Sequence, residues 1–189
     1  MRIFPRFNAG ESTERGLRRH LESGGVAEER LWAPWRLEYI KGPKDGECIF
    51  CAGPAAGHDR AKYIVRRGEL CFAMLNAYPY NNGHLMISPF RHVPTIEELD
   101  QGELLELMTL TQDALAALRT AYAPEGFNLG VNQGKIAGAG VEHHVHLHVV
   151  PRWGADTNFM PVIGDTRVLP QSLEDSYEDV TRAFSAAAR

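Results

Sequence analysis

The run His144-Val145-His146-Leu147-His148-Val149-Val150 constrains this chain more than any other feature of its sequence. Four of the eight histidines fall between positions 143 and 148. A β-strand points successive side chains to opposite faces, so His144, His146 and His148 share one face while Val145, Leu147 and Val149 share the other. The apolar face has to be buried against a core. The other face brings three imidazoles to one place. Three readings stay open at this point: a solvated strand face, a metal centre of neutral imidazoles, and a catalytic cluster in which one ring is a nucleophile.

The surrounding sequence supplies the elements such a strand needs. Positions 70–75 and 84–89 are short apolar runs separated by Asn76-Ala77-Tyr78-Pro79-Tyr80-Asn81-Asn82-Gly83, whose Asn, Pro and Gly mark a turn. They read as two paired strands. Positions 99–122 carry Leu104, Leu107, Met108, Leu110, Thr111, Leu115 and Leu118 at helical spacing, with acidic residues near the start to suit the helix dipole. Further strands are expected over 127–132 and 145–150, and a second helix over 172–187. Mixed elements of this kind predict an α+β domain. A length of 189 residues suits one domain with extensions: a polar segment over 1–30 with a short helix near 14–22, the domain over 31–170, and a C-terminal helix over 171–189 packing on it. Leu31-Trp32-Ala33-Pro34-Trp35-Arg36 is too apolar for a free linker and is expected to pack on the domain.

Charge and cysteine content narrow the function classes. A formal net charge of -4 argues against a nucleic-acid partner, although a local group of donors can still hold a small anion. No apolar run approaches the roughly 20 residues that span a bilayer, and no signal peptide opens the chain. The expectation is a cytoplasmic protein with no membrane partner. Three cysteines do not make a disulfide framework there. Cys48-Ile49-Phe50-Cys51 has the spacing by which one turn presents two thiolates to a metal, but a redox pair or two buried thiols fit the same spacing. Cys71, inside a strand, is most simply a core residue. Neither a Rossmann nor a P-loop fingerprint occurs.

With these residues in view, the chain resembles the histidine triad (HIT) nucleotide hydrolases and transferases, which are named for the His-x-His-x-His-x-x pattern with apolar x. The match extends to the loop 76–83, the strand 84–89, His92 and Asn132-Gln133-Gly134, in order and rough spacing, and covers about 48–153. The resemblance implies a HIT-like fold with an antiparallel sheet of about five strands. It implies an enzyme in which His146 attacks the α-phosphorus of a nucleotide and His148 hydrogen-bonds the phosphate oxygens. No catalytic metal is required by that covalent step. Asn132 and the Gly-rich loop 134–140, with Gly138, Ala139 and Gly140, are then expected to add donors and room for the phosphates. Asn76 is expected at the ribose hydroxyls, unless it is only a turn residue, with Leu75 and Phe72 near the base and Phe72 more simply core. The resemblance also completes a structural zinc site, Cys48, Cys51, His92 and His144. A homodimer formed through the long helix and the neighbouring strand is expected by resemblance alone.

The HIT hydrolase branches carry a Gln four residues before the first triad histidine, where this chain has Gly140. That departure, one extra residue between Asn132 and His144, and the flanking sequences 31–36 and 150–160 resemble the bacterial diadenosine tetraphosphate (Ap4A) phosphorylase branch. That branch implies a dinucleoside polyphosphate or other adenine nucleotide as substrate and inorganic phosphate as acceptor, with Lys135 and Arg152 as candidates to hold acceptor or distal phosphates. Hydrolysis, phosphoramidase activity and a nucleotide-binding protein with little turnover are the competing expectations.

Overall fold

The computed structural model of the chain describes residues 47–154, 156 and 170–187. The helix expected over 14–22, the packing expected of 31–36 and the extension 1–30 lie outside the described residues. Five strands form one antiparallel sheet in the order β1-β2-β3-β5-β4: β1 is Ile64–Arg67, β2 Cys71–Leu75, β3 Leu85–Pro89, β4 Gly126–Val131 and β5 Leu147–Arg152. Among the described residues the α-helices are α1 (Ile49–Ala55), α2 (Gln101–Tyr122) and α3 (Leu173–Ala187). None of these helices is long and apolar enough to cross a membrane.

Strand alternation sorts the core onto two faces. Cys71, Ala73 and Leu75 of β2, Leu85 and Ile87 of β3, and Leu147 and Val149 of β5 join the main core, together with residues of α2 and α3. Phe72 and Met74 of β2 and Met86 of β3 point the other way into a smaller cluster, to which α1 contributes Phe50 and β1 contributes Ile64. His148 pairs with Met86 across β3 and β5, so it emerges on this second face. One face of the sheet is therefore held by helices, and the other is left to α1 and the histidines.

Four of the five strands were legible as apolar runs. β1 was not, because it has only four residues, half of them exposed arginines, and a register shift between Ile64 and Arg66. Those features also blunt an edge strand against further pairing. The regular part of β5 begins at Leu147 rather than at 145. Before it, the backbone is held by irregular bonds: Val145 N–H donates to Val93 O at 2.7 Å and Ser88 Oγ donates to Val145 O at 2.9 Å.

Helix α2 starts where its chemistry allows. Asp100 caps it, accepting from Glu103 N–H at 2.8 Å, while Glu103 Oε2 accepts from Asp100 N–H at 2.9 Å, so two otherwise unpaired donors are satisfied. Its buried face is Leu107, Leu110, Thr111, Ala114, Ala117 and Leu118 together with Glu103. The expected apolar stripe is wider than that face: Leu104 and Met108 are exposed, as is Leu105.

Gly83, the last residue before His84 and β3, has φ +72°, and a Cβ there would lie 2.8 Å from Tyr122 Cε2 and 3.0 Å from Leu118 Cδ2. Positive φ and a filled neighbourhood both demand glycine. Gly83→Ala is expected to destabilise the protein by about 1–3 kcal/mol, the usual cost of overpacking. A thermal melt matching the parent would contradict this.

Candidate active site

The histidine-bearing segment divides into two jobs, and hydrogen-bond partners fix which ring nitrogen serves each. His144 is fully buried, and its Nε2 lies 2.9 Å from Pro89 O. A carbonyl only accepts, so that nitrogen carries the proton and Nδ1 keeps its lone pair. Burial pushes the His144 imidazole below its ordinary pKa, with His92 and His146 acting in the same direction. Its Nδ1 faces two sulfurs, Cys48 Sγ at 3.4 Å and Cys51 Sγ at 3.5 Å. The Nδ1 of His92 is 3.2 Å from Cys51 Sγ. The ligand atoms of Cys48, Cys51, His92 and His144 all lie within 4.8 Å of one another, a group that could hold a metal ion. Helix α1 makes the sulfur pair: Cys48 is its N-cap, and its carbonyl accepts from Cys51 N–H at 3.0 Å, placing both thiols on one turn. The turn bearing His92 is tied to α2, because Arg91 next to it donates to both carboxylate oxygens of Glu103, at 2.9 and 2.6 Å.

His146 has the complementary arrangement. Its Nδ1 is 2.9 Å from His144 O, so this nitrogen donates and Nε2 carries the lone pair. Phe50 lies over the ring, centroids 4.6 Å apart at 30°. His146 and His148 line a pocket of about 450 Å³ with Phe50, Leu75, Met74, Met86, Asn76 and Gly140. An apolar chamber with a few convergent polar groups is the usual form of a small-molecule site.

A third histidine, one the sequence reading left without a role, orients His148. Tyr80 N–H donates to His84 Nδ1 at 3.1 Å, and His84 Nε2 stands 3.0 Å from His148 Nδ1. Since His84 Nδ1 accepts, its Nε2 is the protonated nitrogen and donates to His148. The neutral His148 ring is left with its own proton on Nε2. A histidine opening an otherwise apolar strand was the available signal, because a fully buried imidazole needs partners. His84→Leu is expected to lower turnover about 10–100-fold, as loss of an orienting partner does; a variant as active as the parent would remove this role.

The remaining expected site residues are spread around the pocket. Asn76 is buried at the end of β2 and lines it, while its Oδ1 also accepts from Tyr78 N–H at 2.8 Å, so the turn and pocket positions coincide. Phe72 is fully buried and stacks on Phe90, a core role. A Cβ added at Gly138, which has φ +86°, would lie 4.0 Å from Asn132 Nδ2. The amides of Gly138 and Ala139 close the loop on Lys135 O at 3.0 Å and Gly134 O at 3.3 Å, and Gly140 is the loop glycine that lines the pocket. Lys135 is exposed on the loop outside the pocket lining. Arg152 ends β5, donating to Asn128 Oδ1 at 2.7 Å and to both oxygens of Asp156. That guanidinium holds the Asp156 carboxyl down to about 2. Cys71 is fully buried in the main core, and burial, with Glu106 and Glu103 nearby, pushes its thiol up to about 12.

A five-stranded antiparallel sheet whose face away from α2 and α3 gathers an alternating histidine segment against a pocket of about 450 Å³ defines a histidine triad protein, and the HIT domain family profile matches residues 59–154. The chain belongs to the HIT domain family. It is 42% identical over 156 residues to the AP-4-A phosphorylase of Mycobacterium tuberculosis, covering 78% of this chain and 80% of that protein. It is 33% identical over 93 residues to an asymmetrical bis(5'-nucleosyl)-tetraphosphatase of Schizosaccharomyces pombe, 49% of this chain and 50% of that protein. Its fold superposes on a hypothetical histidine triad nucleotide-binding protein of Sulfolobus tokodaii with TM-score 0.59 at 25% identity, covering 74% of this chain and 93% of that one.

Proposed function

We propose that this chain phosphorolyses diadenosine tetraphosphate through an adenylyl-His146 intermediate. The observation that carries this reading is the His146 tautomer. With Nδ1–H committed to His144 O, the Nε2 lone pair faces the pocket, the form a nucleophilic imidazole requires. Nε2 attacks the α-phosphorus, a P–N bond forms, the α–β bridging P–O bond breaks, and ATP departs with the electron pair. An oxygen of inorganic phosphate then attacks the same phosphorus, the P–N bond breaks, the imidazole regains its lone pair, and ADP leaves. His148, its Nδ1 held by His84, presents Nε2–H to the oxygens on which charge builds. Asn76, Asn132 and the loop residues Gly138, Ala139 and Gly140 serve the ribose and phosphates, with Lys135 farther out and Arg152, its charge met by Asp156, left to an uncharged part of the ligand.

Phosphate rather than water as acceptor is supported by the similarity to the mycobacterial phosphorylase and by Gly140, which leaves the pocket wall without a side chain. The tetraphosphatase relative keeps hydrolysis as the second reading. The donor set fits zinc as the metal: Zn–S near 2.3 Å and Zn–N near 2.0–2.1 Å imply tetrahedral N···S edges of about 3.6 Å, against 3.2 to 3.5 Å here. Such a closed Cys2His2 site is structural, and zinc bound there fixes α1 and the segment before His146. Homodimerisation is supported by the edge strand β4 with exposed Leu129 and by the exposed Leu104, Leu105 and Met108 of α2, a helix whose Arg119 lies 5.1 Å from the Phe127 ring of β4. An adenine-nucleotide substrate and a thiolate metal site both suit the cytoplasm.

The test is to incubate purified protein with Ap4A, with and without inorganic phosphate, and resolve products by anion exchange. ATP and ADP in equal amounts, formed only with phosphate, is the expected result. AMP with ATP, formed without phosphate, assigns the chain to the hydrolases.

A further inference from the structure

The face of β4 that looks toward the pocket has an unusual composition. His148 is flanked across the sheet by Met86 of β3 on one side and by Gly130 of β4 on the other. Alternation puts Gly126, Asn128 and Gly130 on that same face, with Asn132 next in line, while Phe127, Leu129 and Val131 point to the helix side. Glycine in a strand interior is unfavourable and normally marks a bulge, a close packing contact, or the approach of a ligand. There is no bulge, because the pairing from Gly126↔Arg152 to Val131↔Leu147 is continuous. There is no packing contact either: among the described residues, a Cβ added at Gly126 or at Gly130 meets nothing within 4 Å. Approach of a ligand is the reason that fits an opening placed directly beside His148. The wall that a side chain would form beside His148 is missing on one side only, the side away from Phe50, Met74 and Met86.

This open lane ends on a polar cluster. Asn128 is exposed, and its Oδ1 is occupied by Arg152 Nη1 at 2.7 Å, which turns its Nδ2 donors away from Arg152. Arg152 is neutralised by Asp156, so the cluster offers hydrogen bonds rather than net charge. At roughly 3.4 Å per residue, the lane from Gly130 to Asn128 runs about 7 Å along the strand. Those are the dimensions and chemistry for a nucleoside rather than a second phosphate. Resting on the proposed function, in which the adenylyl group is carried by His146 in the pocket that Phe50 and Met86 also line, we propose that the leaving half of a dinucleoside polyphosphate crosses β4 at Gly130 and rests its nucleoside against Asn128 and Arg152. Gly130 is then the residue that makes the site selective for dinucleotides over mononucleotides.

Gly130→Val tests this with little threat to folding, since a β-branched residue suits an exposed strand position; circular dichroism melts check that it folds. Binding of AMP and of a non-hydrolysable methylene analogue of Ap4A is measured by calorimetry in the parent and in Gly130→Val and Asn128→Leu. The expected result is that the parent prefers the Ap4A analogue, and that this preference falls about tenfold or more in Gly130→Val and severalfold in Asn128→Leu. A parent that binds the analogue no better than AMP, or a Gly130→Val protein that keeps the preference or loses both ligands equally, overturns the lane. Because the readout is binding, it is independent of whether phosphate or water opens the intermediate, or of whether turnover occurs; those are decided by the product analysis above.

Discussion

His146→Gln is expected to lower Ap4A turnover by at least about 10³-fold while leaving Ap4A affinity within severalfold of the parent. Covalent catalysis has no partial substitute: without Nε2 there is no P–N bond, and what survives is positioning and electrostatic stabilisation of direct attack by phosphate or water. The neighbouring geometry makes the loss specific. His146 Nδ1 is only 2.9 Å from His144 O and Phe50 packs on the ring, so a planar amide of similar size keeps the pocket filled. His148 remains oriented by His84 on its far side. Rapid acid-free quenching of the parent with Ap4A labelled in the α-phosphate should trap label on the protein in an acid-labile bond, and the variant should carry none. Retention of more than a tenth of the activity would remove His146 as nucleophile. Loss of binding together with turnover would favour the competing reading, a nucleotide-binding protein in which the histidine is a contact.

The sequence displayed its chemistry more openly than its geometry. The alternation of His144, His146 and His148 against Val145, Leu147 and Val149 survives folding because a one-residue slip would turn the imidazoles into the apolar core under the helices and the apolar side chains toward the pocket. For that reason strand faces were legible. Less legible was anything set by long-range contact. The partner that orients His148 is His84, 64 residues away, and only the sheet register brings them together. Likewise the Arg91 and Glu103 pair joins a strand end to a helix start. α2 shows the limit of periodicity: Leu104, Leu107 and Met108 fit one apolar pattern, yet the sheet takes only Leu107 of the three, leaving the others exposed. Glycine was read as a phosphate loop near Gly138, where local spacing before the histidines was signal enough. The strand glycine beside His148 went unremarked, because a missing side chain has meaning only once its neighbours are known.

Removing the proposed zinc is expected to lower the thermal midpoint by on the order of 5–10 °C, and to release two of the three cysteines to alkylation. A ligand present at about 100 times its Kd stabilises the folded state by about 2.7 kcal/mol, and about 2–4 °C of melting temperature accompanies each kcal/mol in a chain of this size. Global unfolding is not expected, because the main core under α2 and α3 does not include Cys48 or Cys51. The strain falls locally. Cys48 and Cys51 bracket Phe50 on one turn of α1, and His144 stands two residues before His146, so both supports of the proposed nucleophile hang on the same four ligands. Chelation should therefore reduce kcat more than it raises KM. Iodoacetamide with mass spectrometry is the check: Cys48 and Cys51 should react only after chelation, while Cys71, buried and with its thiol near 12, stays unmodified until the protein unfolds. His92→Ala removes the most exposed ligand of the set and should reproduce the chelated behaviour without a chelator. Protein purified with reduced, freely reactive Cys48 and Cys51, a melt insensitive to chelator and substoichiometric zinc would leave the pair as metal-free thiols and transfer the support of His146 to the packing of Phe50 alone.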